Sequence, residues 1–337
     1  MMPQRRYTTA LLRLLLLLLL ALNRLGTLSS YAESPASAPL TFVAMGDMPY
    51  HADDVPKLRA LLQRIDAAQP AFVVHVGDIK NGLARCSVPA YQQFIDTMNT
   101  LQHTPWILTP GDNEWTDCDR PPAGGFDPVE RLTVLRSMVY TPQWFASLPF
   151  PVVSQGVRDK TPCVENLRWV LQSQSQPVVF TTLHVVGSNN NRNPQSSKAL
   201  AEFTARDATN QAWLHEAFET AKTLGAQQVV LMMQADPSFG LLTSPAPSAH
   251  RAQQRSGFLG WYNALVSELQ TFDGQVLLIH GDSHNFRVDM PLAEHLPDPV
   301  ARKLTRVITF GERQVHGVAV AIEPHQPQDP FQVAAFW

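Results

Sequence analysis

The chain is short of charge, short of cysteine and without any surplus of basic residues, and each scarcity removes a class of protein. Charged residues make up 16% of the 337 and apolar residues 45%, a balance that excludes an intrinsically disordered chain. The formal net charge of -3 leaves no basic stripe for a phosphate backbone, so dedicated nucleic-acid binding is not expected. Three cysteines allow one disulfide and leave one thiol. Long hydrophobic runs are missing too. The apolar stretch Leu14 to Leu22 is bracketed by Arg13, Asn23 and Arg24, well short of the roughly 20 residues that a membrane span needs. With Arg5 and Arg6 before it and Ser30-Tyr31-Ala32 after it, the stretch reads as a cleaved export signal over residues 1–32. A Ser/Pro/Ala tether over 33–40 and one domain over 41–337 follow. The expectation is an exported protein, periplasmic or secreted, with no stable membrane span after cleavage.

What the chain does have is a repeated design. Four segments run an apolar strand into a Gly-Asp step: Phe42 to Asp47, Val73 to Asp78, Trp106 to Asp112 and Val276 to Asp282. Glycine lets a chain turn sharply where no Cβ fits, and the aspartate after it projects beyond the strand. Carboxylates crowded on one sheet edge repel one another unless cations sit among them. The pattern therefore points to a metal centre.

Between these strands the periodicity is helical. Pro56 to Ala68 carries Leu58, Leu61, Leu62 and Ile65 on one face, which makes a βαβ unit with parallel strands. Tyr91 to Leu101 repeats the pattern. Arg206 to Leu224 reads as the longest amphipathic helix, closed by Gly225 in the left-handed conformation. Strands over Val178 to Val186 and Gln228 to Met233, a Pro/Ser-rich loop over Thr243 to Ser256 and a helix over Phe258 to Leu269 complete the middle. Phe286 to Met290, Leu304 to Phe310 and Val315 to Glu323 read as closely spaced antiparallel strands with no helix between them. Strands alternating with helices, then strands alone, imply an α/β sandwich with a mixed pair of sheets.

With these residues in view, the chain resembles the calcineurin-like metallophosphoesterase superfamily. The family's signatures run Asp-x-His, Gly-Asp, Gly-Asn-His-Glu/Asp, a lone His after a strand, and Gly-His-x-His. Here they read Asp47-Met48-Pro49, Gly77-Asp78, Gly111-Asp112-Asn113-Glu114, Gln234, and Gly281-Asp282-Ser283-His284. The resemblance implies a four-layer α-β-β-α sandwich with two mixed sheets and two divalent metal ions at the strand ends. It assigns Asp47, Asp78 and His284 to the first ion, and Asp78, Asp112, Asp282 and Gln234 to the second. Pro49 offers no donor where the family has a histidine, so Tyr50 and His51 are further candidates for metal or substrate. A one-residue slip, with Asn113 as ligand and Glu114 nearby, and Asp236 as an alternative ligand are left open.

Nitrogen ligands have been exchanged for oxygen throughout. Of Mn, Mg, Fe, Zn and Ca, an oxygen-rich set favours Mn or Mg. Asn113 takes the place of the family's catalytic histidine; it can donate a hydrogen bond but no proton. His51 and His184 are the candidate acids. The implied chemistry is hydrolysis of a small phosphate mono- or diester by a metal-bound hydroxide, with Asp112, Asn113 and His284 in catalytic positions.

Around this site, Asn189, Asn190 and Asn191 are candidates for holding the ester, and His75 and His280 for supporting ligands from within their strands. Trp115 is either a pocket wall or loop packing. Arg287 meets either a phosphate or a carboxylate of the site, and Arg120 and Lys80 belong by default to a solvated face. Cys86 follows the second Gly-Asp step and Cys118 the third, so their bridge would staple two site loops, with Cys163 left over. The alternative reading is a binding protein that kept the scaffold and lost turnover; a secreted nuclease is disfavoured by the acidic balance.

Overall fold

The computed structural model describes residues 38–244 and 248–337, so the expected export signal and most of the tether lie outside the described residues. The strands are β1 (Leu40–Met45), β2 (Val73–His75), β3 (Trp106–Leu108), β4 (Val152–Ser154), β5 (Leu167–Ser173), β6 (Gln176–Thr182), β7 (Gln228–Met232), β8 (Gln275–His280), β9 (Arg287–Asp289), β10 (Leu304–Ile308), β11 (Gly317–Ile322) and β12 (Phe331–Phe336). They form a five-stranded sheet in the order β12-β11-β1-β2-β3 and a seven-stranded sheet in the order β4-β5-β6-β7-β8-β10-β9. Both are mixed. In the first sheet β1, β2 and β3 are parallel and β11 and β12 antiparallel. In the second, β6, β7, β8 and β10 are parallel, β5 runs antiparallel to β6, and the edge strands β4 and β9 pair antiparallel with β5 and β10.

The main helices are α1 (Asp54–Ala68), α2 (Val88–Met98), α3 (Pro128–Val139), α4 (Ser197–Leu224) and α5 (Leu259–Thr271). Leu58, Leu61 and Leu62 of α1 are at most 1% exposed and pack with the first sheet. Burial of this kind contributes roughly 1.5–3 kcal/mol per side chain. The second sheet alternates. Phe180, Val230, Met232, Leu277 and Ile279 face the first sheet, while Val179, Val229, Leu231, Val276 and Leu278 pack against Trp213, Leu214 and Phe218 of α4 and Trp261 and Leu265 of α5. Period-2 alternation with both faces buried makes four layers: helix, sheet, sheet, helix. Aromatic rings join the two sheets, with Phe72 5.2 Å from both Phe180 and Trp169, which stack on each other within the second sheet at 5.5 Å.

Several element ends differ from the sequence reading, each for a local reason. α2 starts before Tyr91 because Ser87 caps it, its side chain accepting from Ala90 N, with Pro89 in the first turn. α4 begins at Ser197 rather than Arg206, capped by Ser196. The buried Arg206, Asp207 and Asn210 interrupt its apolar stripe and hide the true start. Gly225 does close it, at φ 66. The Pro/Ser-rich loop contains a helix over Ala249–Arg255, capped by Ser248. The C-terminal strands are not one antiparallel run: β10 lies parallel to β8, a helical turn at Asp298–Ala301 precedes it, and β11 crosses to the other sheet beside β1. No described helix is long and apolar enough to cross a membrane.

Candidate metal centre

Parallel pairing sets Met45 beside His75 and His75 beside Leu108, so the first three Gly-Asp steps leave the five-stranded sheet at one edge. The fourth leaves β8 of the facing sheet and closes on them: the backbone N–H of Asp282 donates to both carboxylate oxygens of Asp47 at 3.1 Å. The glycines meet the sequence expectation, since no Cβ fits at any of the four and Gly77 takes φ 97, and the aspartates add to it. At three of the four steps the aspartate itself takes the left-handed conformation, Asp47 at φ 54, Asp78 at 58 and Asp282 at 73; His284 does so at 58. Such conformations in non-glycine residues persist where the surroundings impose them, typically at functional sites. The glycines serve close approach. A Cβ on Gly111 would come 2.1 Å from Asp78 Oδ1, and one on Gly281 2.2 Å from Asp47 Oδ2.

Two sets of donor atoms result. Asp47, Asp78 and His284 each offer an atom within 4.8 Å of the others, and so do Asp78, Asp112 and Asp282. Asp78 is common to both. Asp47 is fully buried and Asp78 and Asp112 nearly so. Burial, reinforced by Asp112 and Glu114, pushes the Asp78 carboxyl well above its ordinary range, and burial with Asp112 raises Asp282 to about 8. Burial also raises Asp47, although the hydrogen bond from His284, 3.2 Å away, opposes it. The same bond raises His284. Buried acids whose carboxyls stay raised despite His284 and Lys80 nearby, with glycines holding the space between them, fit divalent cations.

Tyr50 enters where the motif histidine is absent. Its hydroxyl lies 3.4 Å from Asp47 Oδ1, 3.1 Å from Asp78 Oδ2 and 3.2 Å from His284 Nε2, at the centre of the first set. Asn113 donates through Nδ2 to Tyr50 Oη at 3.1 Å and Asp78 Oδ2 at 2.9 Å, and its backbone N–H to Asp78 Oδ1 at 3.1 Å. His51 lines the mouth without joining either set. Glu114 belongs to neither set: Oε1 accepts from Gly111 N at 2.6 Å and Asp78 N at 3.1 Å, clasping two strand-end turns together.

Other expectations need correction. Gln234 Oε1 accepts from Gly187 N at 2.6 Å, which fixes the amide so that its NH2 group faces Asp78 Oδ2 at 3.2 Å. A backbone N–H can only donate, so Gln234 presents a donor, not an oxygen ligand, to the second set. Asp236 reaches Asp282 only through its backbone N–H. The asparagines are structural. Asn190 is buried, donating to Gly257 O and accepting from Val186 N and Arg206, and Asn189 bonds Arg192 O, Ser256 and Gly257 N. Asn191 donates to Glu202. Ser188 is the residue of that loop that meets the acids, 2.8 Å from Asp112 Oδ2 and 2.9 Å from Asp117 Oδ1. Nothing in a Gly-Ser-Asn run singled it out. Asp117 was missed for the same reason; burial and Asp112 raise it to about 6.

His184 cannot serve as the acid. It is fully buried, 2.5 Å from Glu165 and beneath Trp115, which is itself loop packing rather than pocket wall. His75 is held neutral by burial at about 4, and bonds Met48 O and Gly77 N behind the site. Burial likewise lowers His280. Lys80 is 6% exposed rather than solvated. Burial lowers its pKa, against the pull of Glu114 and Asp78. Arg287 is exposed, 3.8 Å from Asp289. Cys86 and Cys118 form the disulfide, Cα atoms 5.7 Å apart, and Cys163 is free and buried.

Residues 40–286 match the family model described as calcineurin-like phosphoesterase, and the chain belongs to that family. Its members bind divalent metals, and its type of function is phosphoester hydrolysis. Among solved structures the chain is similar to a dimetal phosphatase from Danio rerio, at 12% identity and a TM-score of 0.50, over 88% of this chain and 99% of that one. It is also similar to PhoD, at 15% identity and a TM-score of 0.48, over 89% of this chain and 62% of that one. At such identities the first likeness speaks for the fold alone. No curated protein sequence matches the chain.

Proposed function

We propose that the protein is an exported, metal-dependent phosphoesterase that hydrolyses a small phosphate ester. The observation that carries this reading is the pair of donor sets sharing Asp78, each drawn within 4.8 Å. Asp47, Asp78 and His284 would hold one ion, with the Tyr50 hydroxyl in their midst; Asp78, Asp112 and Asp282 would hold the other. Oxygen donors dominate, which favours Mn²⁺ or Mg²⁺ over Zn²⁺. When bound, the ions supply Lewis acidity for water and for the phosphoryl oxygens. The chain's own residues orient and exclude. Asn113 stands where its amide can turn from Asp78 to a phosphoryl oxygen. Glu114, the disulfide and the Asp282–Asp47 contact keep the turns from spreading as charge changes. Export is supported by the leader's composition and by a Cys86–Cys118 bridge, which suits an oxidising compartment.

The deciding experiment is elemental analysis of the purified chain, followed by assay with p-nitrophenyl phosphate and its diester under added Mn²⁺ or Mg²⁺. Two ions per chain and metal-dependent release of p-nitrophenol are expected. Bound metal without turnover on any ester would favour the binding-protein reading, for which the loss of a histidine at Asn113 is the supporting observation.

A further inference from the structure

Arg120 stands at the mouth of the centre and belongs to neither donor set. The opening, about 400 Å³, is lined by Tyr50, Asp112, Asn113, Asp282 and His284 with Arg120 among them. Among the described residues lining it, Arg120 is the sole arginine or lysine. Its side chain is 44% exposed, and Nη2 lies 2.7 Å from Asp117 Oδ1, which is nearly buried. One corner of the guanidinium is thus anchored while the rest borders the opening. Asp117 is itself held by Ser188, which also touches Asp112. The backbone is tied down as well: Arg120 N donates to Asp117 O at 3.2 Å, Gly125 N to Arg120 O at 3.1 Å, and Cys118 is bridged to Cys86. Gly82 packs close against both Arg120 and Asn113. A Cβ there would lie 2.8 Å from Arg120 Nη1 and 2.6 Å from Asn113 Oδ1.

Resting on the phosphoesterase reading, we infer that Arg120 receives a non-bridging phosphoryl oxygen of the substrate and sets a preference for phosphate monoesters over diesters. A guanidinium is a planar fork of donors matched to phosphate oxygens, and one already oriented by a buried carboxylate loses little freedom on binding. A monoester dianion carries three non-bridging oxygens, enough to meet the centre, Asn113 and Arg120 together. A diester has two, so one of these three partners would go unmet.

The test uses the metal-loaded full chain with Arg120→Ala and Arg120→Lys. Michaelis constants are measured for p-nitrophenyl phosphate and bis(p-nitrophenyl) phosphate, and the dissociation constant for inorganic phosphate by calorimetry. Loss of a charged hydrogen bond predicts a roughly tenfold to hundredfold rise in KM for the monoester and in Kd for phosphate in Arg120→Ala. The lysine variant should recover part of both, metal content should hold, and the monoester-to-diester ratio of kcat/KM should fall at least about tenfold. An unchanged phosphate Kd in Arg120→Ala, no phosphate binding by the wild type, or a wild-type preference for the diester overturns the inference. Should the wild type hydrolyse neither ester, weakened phosphate binding in Arg120→Ala would still uphold Arg120 as the anion site while the hydrolase reading falls.

Discussion

Two groups of buried acids in this protein have the same exposure and opposite electrostatics. Glu165 is fully buried, yet its carboxyl stays far below the ordinary range: burial alone would raise it, but Arg136 and His184 more than offset that. Arg136 grips it at 2.8 Å and 2.5 Å, and His184 lies 2.5 Å away. Asp47 and Asp78 are as deeply buried, and their carboxyls are raised. Burial does not separate a site from a structural ion pair. What separates them is whether the protein supplies the counter-charge or leaves a place for one from outside.

The comparison can be broken most sharply at Asp78. Asp78→Asn removes the carboxylate common to both donor sets, so kcat/KM should fall about a thousandfold or more. In chelator the same variant should melt higher than wild type, because a buried acid whose charged form is disfavoured has been replaced by a neutral amide. Unchanged activity, or a lower melting point without metal, would erase the contrast.

Next comes pH. The carboxyls of Asp282, Glu114 and Asp117 are raised to about 8, 7 and 6, from ordinary values of 3.8, 4.5 and 3.8. The folded, metal-free protein therefore binds more protons than the unfolded chain between about pH 4 and pH 8. Their contribution to stability is fully present below that window and lost as pH rises through it. His75, lowered to about 4 from 6.5, works the other way and erodes stability as pH falls below 6.5. Urea midpoints in chelator across this range should show the decline toward alkali, and saturating Mn²⁺ should reverse it, since ligands must be deprotonated to bind.

Glu165→Ala tests the other side. It leaves Arg136 buried without its partner and should cost about 3–5 kcal/mol in denaturant unfolding, with metal content unchanged in the folded fraction. A loss below about 1 kcal/mol would show that the pair is not structural. The smallest expected effect is that of Cys86→Ser with Cys118→Ser. A separation of 32 residues predicts a loss of about 2–4 kcal/mol through the unfolded state, together with a weaker hold on the loop that carries Arg120.

Much of this was legible before any fold was known. The Gly-Asp steps announced Asp47, Asp78, Asp112 and Asp282 because each follows an apolar strand whose period is plain. The disulfide pairing was legible because both cysteines follow such steps. Misreadings fell where a side chain's partner lies far along the chain. Asn190 looked free and is taken by Arg206 and Gly257; His184 looked near the motifs and is taken by Glu165. Gln234 sits at the expected position, but the Gly187 backbone decides which end of its amide faces Asp78. Ser188 and Asp117 carry no local signal at all.

The sequence by itself determined which residues can be anionic at strand ends, because strand periodicity and the Gly-Asp step are local properties of neighbouring residues. Tertiary structure alone decided that β8 of one sheet delivers Asp282 and His284 onto Asp47 and Asp78 of the other, that Tyr50 fills the gap left by a histidine, and that Lys80 is buried. Those outcomes depend on distances between segments far apart in the chain, and only the packing of two sheets against each other sets them.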